Sequence, residues 1–277
     1  MQAEIWRFLD SGKGSAVFHM ALDDAILSAA ERGVSPPTFR LFEWERPAIT
    51  IGYSQKLEEV LDYSRCERDG IEVTRRLTGG RAVLHDRELA YSVIGRTDAA
   101  HFGGPVMETY RLIGTIILDA FASLGVTASW SKGRPLREQT ERGIGPAPCF
   151  LSASRYEITI GGKKAAGSAQ RRIGSVFLQQ GSILTSPGHE RIARYLRDAI
   201  PGQSLLDAIR EKSIDLETAM GNPVDIPRLK KALFDSFANK SGCAAEPGAP
   251  TPEETGHAHR LMRERYGSKG WVFGHGS

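Results

Sequence analysis

Residues 71–95, "IEVTRRLTGGRAVLHDRELAYSVIG", set the reading of the chain. The stretch divides into a strand, a Gly-Gly loop, a short strand, a charged turn and a longer strand in which Leu89, Tyr91 and Val93 alternate. Paired glycines between strands let backbone N–H groups come close to a ligand, which a side chain would prevent. Arg75, Arg76 and Arg81 flank Gly79 and Gly80, and His85 and Asp86 follow. Guanidinium groups bind carboxylates, phosphates or a thioester carbonyl. The same residues also suit a tight hairpin with solvated arginines, and a single histidine is more often structural than catalytic. Composition does not choose between these readings.

Toward the N-terminus, residues 19–32 have helical spacing, with Leu22, Ile26 and Ala29 on one face and Gly33 as the stop. "TFRLFEW" and "AITIGY" read as strands joined by a turn at residues 44–47, and "KLEEVLDYSRCERDG" as a short helix. Toward the C-terminus, residues 105–124 form the clearest helical stripe, from Tyr110 to Leu124 with Gly125 as the stop. "VTASW" is a strand, and "SKGRPLREQTERGIGPAP" has the composition of a long mobile loop. "RYEITI", "KKAAGSAQRR" and "VFLQQGSIL" make a three-strand meander turning at Gly161-Gly162. From residue 189 the pattern turns helical. Asp225 is placed as an N-cap, Thr251 and Glu254 as a capping box, and "SGCAAEPGAPTP" as a linker. The plan is α+β, with a core over residues 1–187 and a helical C-terminal extension over 188–277 packed on it.

The 277 residues are enough for a large buried core, and 40% apolar with 25% charged residues is ordinary globular composition. The net charge of +3 suits an acidic partner protein. The basic residues are dispersed, which argues against nucleic acid. "MQAEIWRFLD" lacks the build of a signal peptide, and "LIGTIILDAFASLG" is too short to span a bilayer, so a cytoplasmic protein without membrane contact is expected. Cys66, Cys149 and Cys243 are widely spaced, with no zinc pattern and no disulfide framework. Each is either a small buried hydrophobe or a reactive thiol. The nucleophile-elbow, phosphate-loop, zincin and dinucleotide signatures are absent from the sequence.

A second stretch, residues 146–172, reads "PAPCFLSASRYEITIGGKKAAGSAQRR". A nucleophilic thiol needs partial exposure and a nearby positive charge. Cys149 ends a Pro/Gly-rich loop, and a hairpin carrying Lys163 and Lys164 follows. Strand alternation sends these lysines to opposite faces, so only one can face a site. A solvated lysine on a hairpin is the commoner case.

Together, "MALDDAIL", "WERPAITIGYSQ", "RRLTGGRAVLHD", "ELAYSVIG", "PCF", "SRYEI", "GKKAAGSAQRR" and "LQQGSIL" resemble the lipoate–protein ligase, octanoyltransferase and biotin–protein ligase superfamily. The resemblance covers nearly the whole chain and is strongest to LipM-type octanoyl-[acyl carrier protein]:protein N-octanoyltransferases. It implies a mixed, largely antiparallel sheet flanked by helices. It also implies that Lys164, ahead of Gly167 and Ser168, is the essential lysine and that Cys149 carries the acyl group. Arg76 and His85 line the acyl site on the same basis, with Gly79, Gly80 and Arg81 in the loop beside it. ATP-dependent ligases of this superfamily read "GGGAVxHDxGN"; here Arg81 replaces the third glycine, where an adenylate needs room. The implied reaction moves octanoyl from acyl carrier protein to the lysine of a lipoyl domain, in the glycine cleavage H protein or an E2 subunit. No cofactor, metal or nucleic acid is expected, and the protein is expected to be a monomer. The rival readings are an ATP-dependent lipoate ligase, an octanoyl amidotransferase between lipoyl domains and a non-catalytic acyl-binding homologue.

Overall fold

The structure, a computed structural model, describes residues 4–131, 157–197 and 202–274. The chain opens with β1 (Ile5–Gly14), α1 (Ala16–Glu31) and β2 (Thr38–Trp44). Then come β3 (Ala48–Ile51), the short helices α2 (Leu57–Val60) and α3 (Tyr63–Arg68), β4 (Glu72–Arg75), β5 (Val83–His85) and β6 (Glu88–Arg96). Helix α4 (Val106–Ser123) leads to β7 (Ser129–Trp130), and β8 (Ile158–Ile160), β9 (Lys163–Ile173) and β10 (Val176–Leu184) form the meander. A 3₁₀ helix at His189–Arg194 precedes α5 (Gly202–Lys212), α6 (Leu216–Met220) and α7 (Ile226–Lys240). The last elements are β11 (Ala244–Gly248), α8 (Pro252–Leu261), a π turn at Met262–Tyr266 and α9 (Lys269–Phe273).

Among the described residues, eight strands form one mixed sheet in the order β11-β1-β2-β6-β10-β9-β8-β7. The β1–β2 and β1–β11 pairings are parallel and the other five are antiparallel. This is the mixed, largely antiparallel sheet that the sequence led us to expect. A smaller sheet, β4-β3-β5, stands apart from it. Thus β2 and β3, read as neighbours across a short turn, enter different sheets.

Both faces of the large sheet are covered. On one face Trp6, Phe39, Tyr91 and Phe177 pack with Ile117 and Phe121 of α4 and Leu233 and Phe237 of α7. On the other, Phe42, Ala90 and Leu178 meet Met20 and Ile26 of α1 and Ala258 of α8. The small sheet has its own core, where Ile49, Ile51 and Val83 pack against Ile192 of the 3₁₀ helix and Ile209 of α5. Asp225 and Thr251 cap their helices as expected, the latter in a complete capping box.

The segment read as a linker contains β11, which runs parallel to β1 from Ile5↔Ala244 to Leu9↔Gly248. Just past its end Arg7 donates to the Ala249 carbonyl (3.1 Å), and a paired ion contact at 2.7 and 2.8 Å ties Arg7 to Glu254 of α8. The part after residue 187 therefore supplies a strand as well as helices. Cys66 and Cys243 are buried, and burial pushes their thiols up to about 12 and about 11.

One polar group in the core makes stability depend on pH. His19 accepts from the Arg40 guanidinium at Nδ1 (2.6 Å) and donates from Nε2 to the Glu43 carbonyl (2.8 Å). Burial first, and the charge on Arg40 second, bring its pKa from 6.5 down to about 3. The unfolded chain therefore takes up the proton first as pH falls. The stability held by neutral His19 is complete above pH 6.5 and drains away between 6.5 and 3. Urea unfolding should show the protein weaker at pH 5 than at pH 7.5, with on the order of 2 kcal/mol assignable to this group. His19→Gln should flatten that slope; an unchanged slope would clear His19 of the role.

Candidate active site

The two sheets face each other across a narrow cavity of about 80 Å³. Thr50, Arg76, Gly80, Val83 and His85 line it from the side of the small sheet. Phe42, Trp44, Ala90, Tyr91, Gly167–Ala169 and Gln180–Ser182 line it from the large sheet, and Met20 comes from α1. Its walls are mostly apolar, with a few polar groups held by their own partners, which is the usual make-up of a small-molecule site. A water-sized cavity of about 10 Å³ adjoins it behind Gly167 and Ser168, bounded by Tyr110 and Glu157.

The Gly-rich loop is shaped from within. Arg76 donates from Nη2 to the carbonyls of Gly79 (2.7 Å) and Arg81 (2.8 Å), and from Nη1 to Thr50 O and Oγ1. The Gly79 group in use is thus its carbonyl. Gly80 has φ +90°, a conformation that suits glycine, and its carbonyl lies where any side chain at Gly52 would collide. The loop is also tied to the helix layer. Thr78 donates to Gln180 Oε1 (2.7 Å), and Gln180 Nε2 donates to Asp23 (2.7 Å).

His85 sits in a fixed orientation. Its Nδ1–H donates to Glu88 at 2.6 Å and its Nε2 meets the Thr50 hydroxyl at 2.7 Å, while its ring stacks on Trp44 at 4.1 Å. Glu88 also accepts from Trp44 Nε1 (3.0 Å) and from the Ser182 hydroxyl. Four elements, β2, β5, β6 and β10, thus converge on one buried carboxylate. Sequence reasoning missed Glu88, Ser182 and Trp44. The available signal is the His85–Glu88 spacing of three across the charged turn.

The two lysines of β9 separate as strand alternation requires. Lys163 points outward and its Nζ donates to the Arg210 carbonyl (3.3 Å). Lys164 is 2% exposed, and its ammonium meets Glu157 at 2.5 Å. Its carbonyl accepts from Ile214 N (3.0 Å), so the segment after α5 fixes its backbone as well. The side chain folds over Gly167, where an added Cβ would stand 2.6 Å from Lys164 Cε and 2.9 Å from Nζ. Because Gly167 also lines the cavity, the ammonium comes to its wall through the space a side chain would fill. Glu157, the partner, was also missed by sequence reasoning.

The structure therefore gathers Arg76, Gly80, His85, Gly167 and Ser168 around one cavity, with Lys164 at its edge. Gly79 and Arg81 contribute carbonyls to the loop clamp. Cys149 lies outside the described residues, as does the loop expected before it.

Residues 15–238 match the family model described as the lipoyl protein ligase A/B catalytic domain. An octanoyltransferase LipM of Kyrpidia tusciae is 40% identical over 94% of this chain and 95% of that one. A second, from Geobacillus kaustophilus, is 36% identical over 99% of both. Among solved structures, a bipartite lipoate protein ligase from Thermoplasma acidophilum, studied with its E2 lipoyl domain, superposes with a TM-score of 0.80. It shares 21% identity over 97% of this chain and 96% of that one. A lipoate-protein ligase A bound with ATP gives 0.77 at 22% identity, over 97% and 98%. These two likenesses speak to the fold.

The lysine geometry is testable without any assay of turnover. On brief treatment with an amine-acylating reagent, peptide mass spectrometry should find Lys163 modified at least about tenfold faster than Lys164, since the latter is buried and ion-paired. Gly167→Ala should expose Lys164 to the reagent by displacing its side chain, at an overpacking cost of ~1–3 kcal/mol. Equal labelling of both lysines in the native protein would contradict this placement.

Proposed function

The chain belongs to the lipoyl protein ligase A/B catalytic family, and from that premise we propose how its cavity works. The protein is an octanoyltransferase of lipoate biosynthesis. The donor is octanoyl-acyl carrier protein and the acceptor is the lysine of a lipoyl domain, that of glycine cleavage H protein or an E2 subunit. One observation carries the reading: a buried ammonium, Lys164, is pinned by Glu157 at the edge of a mostly apolar slot, the kind of lining an acyl chain would need.

The Cys149 thiolate attacks the thioester carbonyl, the carbonyl electrons move to oxygen, and as the tetrahedral species collapses the C–S bond to the carrier breaks and the carrier leaves as its thiolate. The acyl-enzyme thioester is then attacked by the neutral amine of the acceptor lysine; the C–N bond forms, the amine proton passes to solvent, and the C–S bond breaks to return the Cys149 thiolate. Lys164 donates to the oxyanion in both halves, a preorganised charge where negative charge develops. The chain lies along Met20, Phe42, Trp44 and Val83, while His85, held by Glu88 and Thr50, orients the polar end of the slot. The thioester is already activated, so ATP has no step to serve, and the replacement of the ligases' third loop glycine by Arg81 is in keeping with that. The protein acts as a monomer in the cytoplasm.

Intact-protein mass spectrometry after mixing with octanoyl carrier protein, without nucleotide, should show one octanoyl adduct. Cys149→Ser should lose it, while Cys66→Ser and Cys243→Ser keep it. Lys164→Ala should move alkylation of Cys149 to higher pH, toward the free-thiol value near ~8.5. It should also slow transfer by on the order of 3 kcal/mol in barrier beyond that shift. An adduct that survives in Cys149→Ser, or use of free octanoate with Mg-ATP and none of the thioester, would overturn the assignment.

A further inference from the structure

The 3₁₀ helix His189–Arg194 carries arginines at a spacing of three, Arg191 and Arg194, and Arg197 keeps the interval just beyond its end. Three residues per turn bring such positions onto one face. The row continues through contacts on both sides. Arg87 donates to the Pro187 carbonyl (3.4 Å), beside Gly188, whose carbonyl accepts from Arg191 (3.3 Å). On the other side Arg210 pairs with Glu190 (3.1 Å), and its carbonyl accepts from Lys163. Lys212 ends α5, and the parallel bridge Lys164↔Ser213 sets it beside Lys163.

The charge of this ridge faces outward. Arg87, Arg194, Arg197, Arg210 and Lys212 are exposed, and Arg191 and Lys163 are half-buried. The acids within it lie underneath: the side chains of Asp86, paired with Arg191, and Glu190, paired with Arg210, are 11% and 9% exposed. On the solvent side, Asp207 and Glu211 of α5 oppose it, and Asp62 and Asp69 lie at its α3 end, where Arg65 pairs with Asp62 and donates to the Arg194 carbonyl (2.7 Å). The ridge shares elements with the site, since Lys163 precedes Lys164 on β9 and Asp86 follows His85 after β5.

We propose that this arginine ridge is the surface on which the acyl carrier protein docks to deliver its thioester. The inference rests on the donor named above. Five of the seven cations are arginines, whose planar forks match carboxylates and phosphates in two-point contacts. An acyl carrier offers both: surface carboxylates, and a phosphodiester at the root of its pantetheine arm. An acceptor lysine on a lipoyl domain brings no phosphate, which assigns the ridge to the donor half-reaction.

The test uses the full-length protein and the exposed pair Arg194→Glu/Lys212→Glu, with the thermal midpoint as a check on folding and Lys231→Glu on α7 as a control. The double variant should raise KM for octanoyl carrier protein roughly tenfold or more, as reversal of complementary interface charge does. Octanoyl-pantetheine, which has neither protein nor phosphate, should be used with unchanged kcat/KM. Transfer from the preformed acyl-enzyme to a lipoyl domain should also be unchanged. An unaltered KM for the carrier, a loss shared equally by octanoyl-pantetheine, or a loss confined to the lipoyl-domain step would each overturn the ridge while leaving the transferase reading intact. Failure of the native protein to accept octanoyl from the carrier would instead remove the donor, and the ridge with it.

Discussion

The fold turns on a buried ion pair. Arg40 and Asp23 are both fully buried and meet at 2.6 Å between β2 and α1. Burial lowers the Arg40 pKa and the carboxylate works against that shift. Neither charge would be tolerated alone in such a place. The carboxylate is also shared: it accepts from Ser92 of β6 and from Gln180 of β10, and Gln180 in turn takes the Thr78 hydroxyl of the Gly-rich loop. One anion thereby fixes the helix, three strands and the loop that closes the cavity. Substitution of either partner would disturb the site by way of the core, without touching a ligand.

This dependence explains what could and could not be read in the sequence. The period of two in residues 38–44 and 88–96 was visible, and so was the amphipathic stripe of residues 105–124. What periodicity could not show is that β2 and β6 are covered on both faces. In such strands the polar alternate positions are not solvent-facing, so Arg40 and Ser92 look like surface residues and are core. Trp44 looks like a turn residue in the sequence for a related reason: its indole N–H is satisfied by Glu88, and no local pattern announces a partner 44 residues away. β11 escaped because Ala-Ala-Glu-Pro-Gly has little strand propensity; β1 offers it a backbone edge, and tertiary pairing overrides the local preference. The Gly-rich loop and the opposite facing of Lys163 and Lys164, in contrast, followed directly from residue type and alternation.

The cavity wall is held by three carboxylates with different tasks. Asp23 ties the loop to the helix layer, Glu88 orients His85, and Glu157 holds the Lys164 ammonium. Asp23 and Glu88 each take donors from several separate elements, and Glu157 is held by the Lys164 ammonium, which keeps these carboxylates in place beside the slot. That suits a site in which the protein contributes position and fixed charge and the reactive bond arrives already activated.

The pairing of β1 with β11 has a consequence for how the molecule forms. Residues 5 and 244 are adjacent in the sheet, so the edge is not complete until almost the whole chain has left the ribosome. Closing so long a loop costs little more than closing one half its length, but it places this contact late, after the local hairpins β8–β9 and β9–β10. Until then β1 presents an open, parallel-pairing edge to any neighbouring chain. The strand that finally covers it carries Pro247, opposite Phe8, which lacks the N–H that a further strand would need. The last piece of the sheet to arrive also ends its growth.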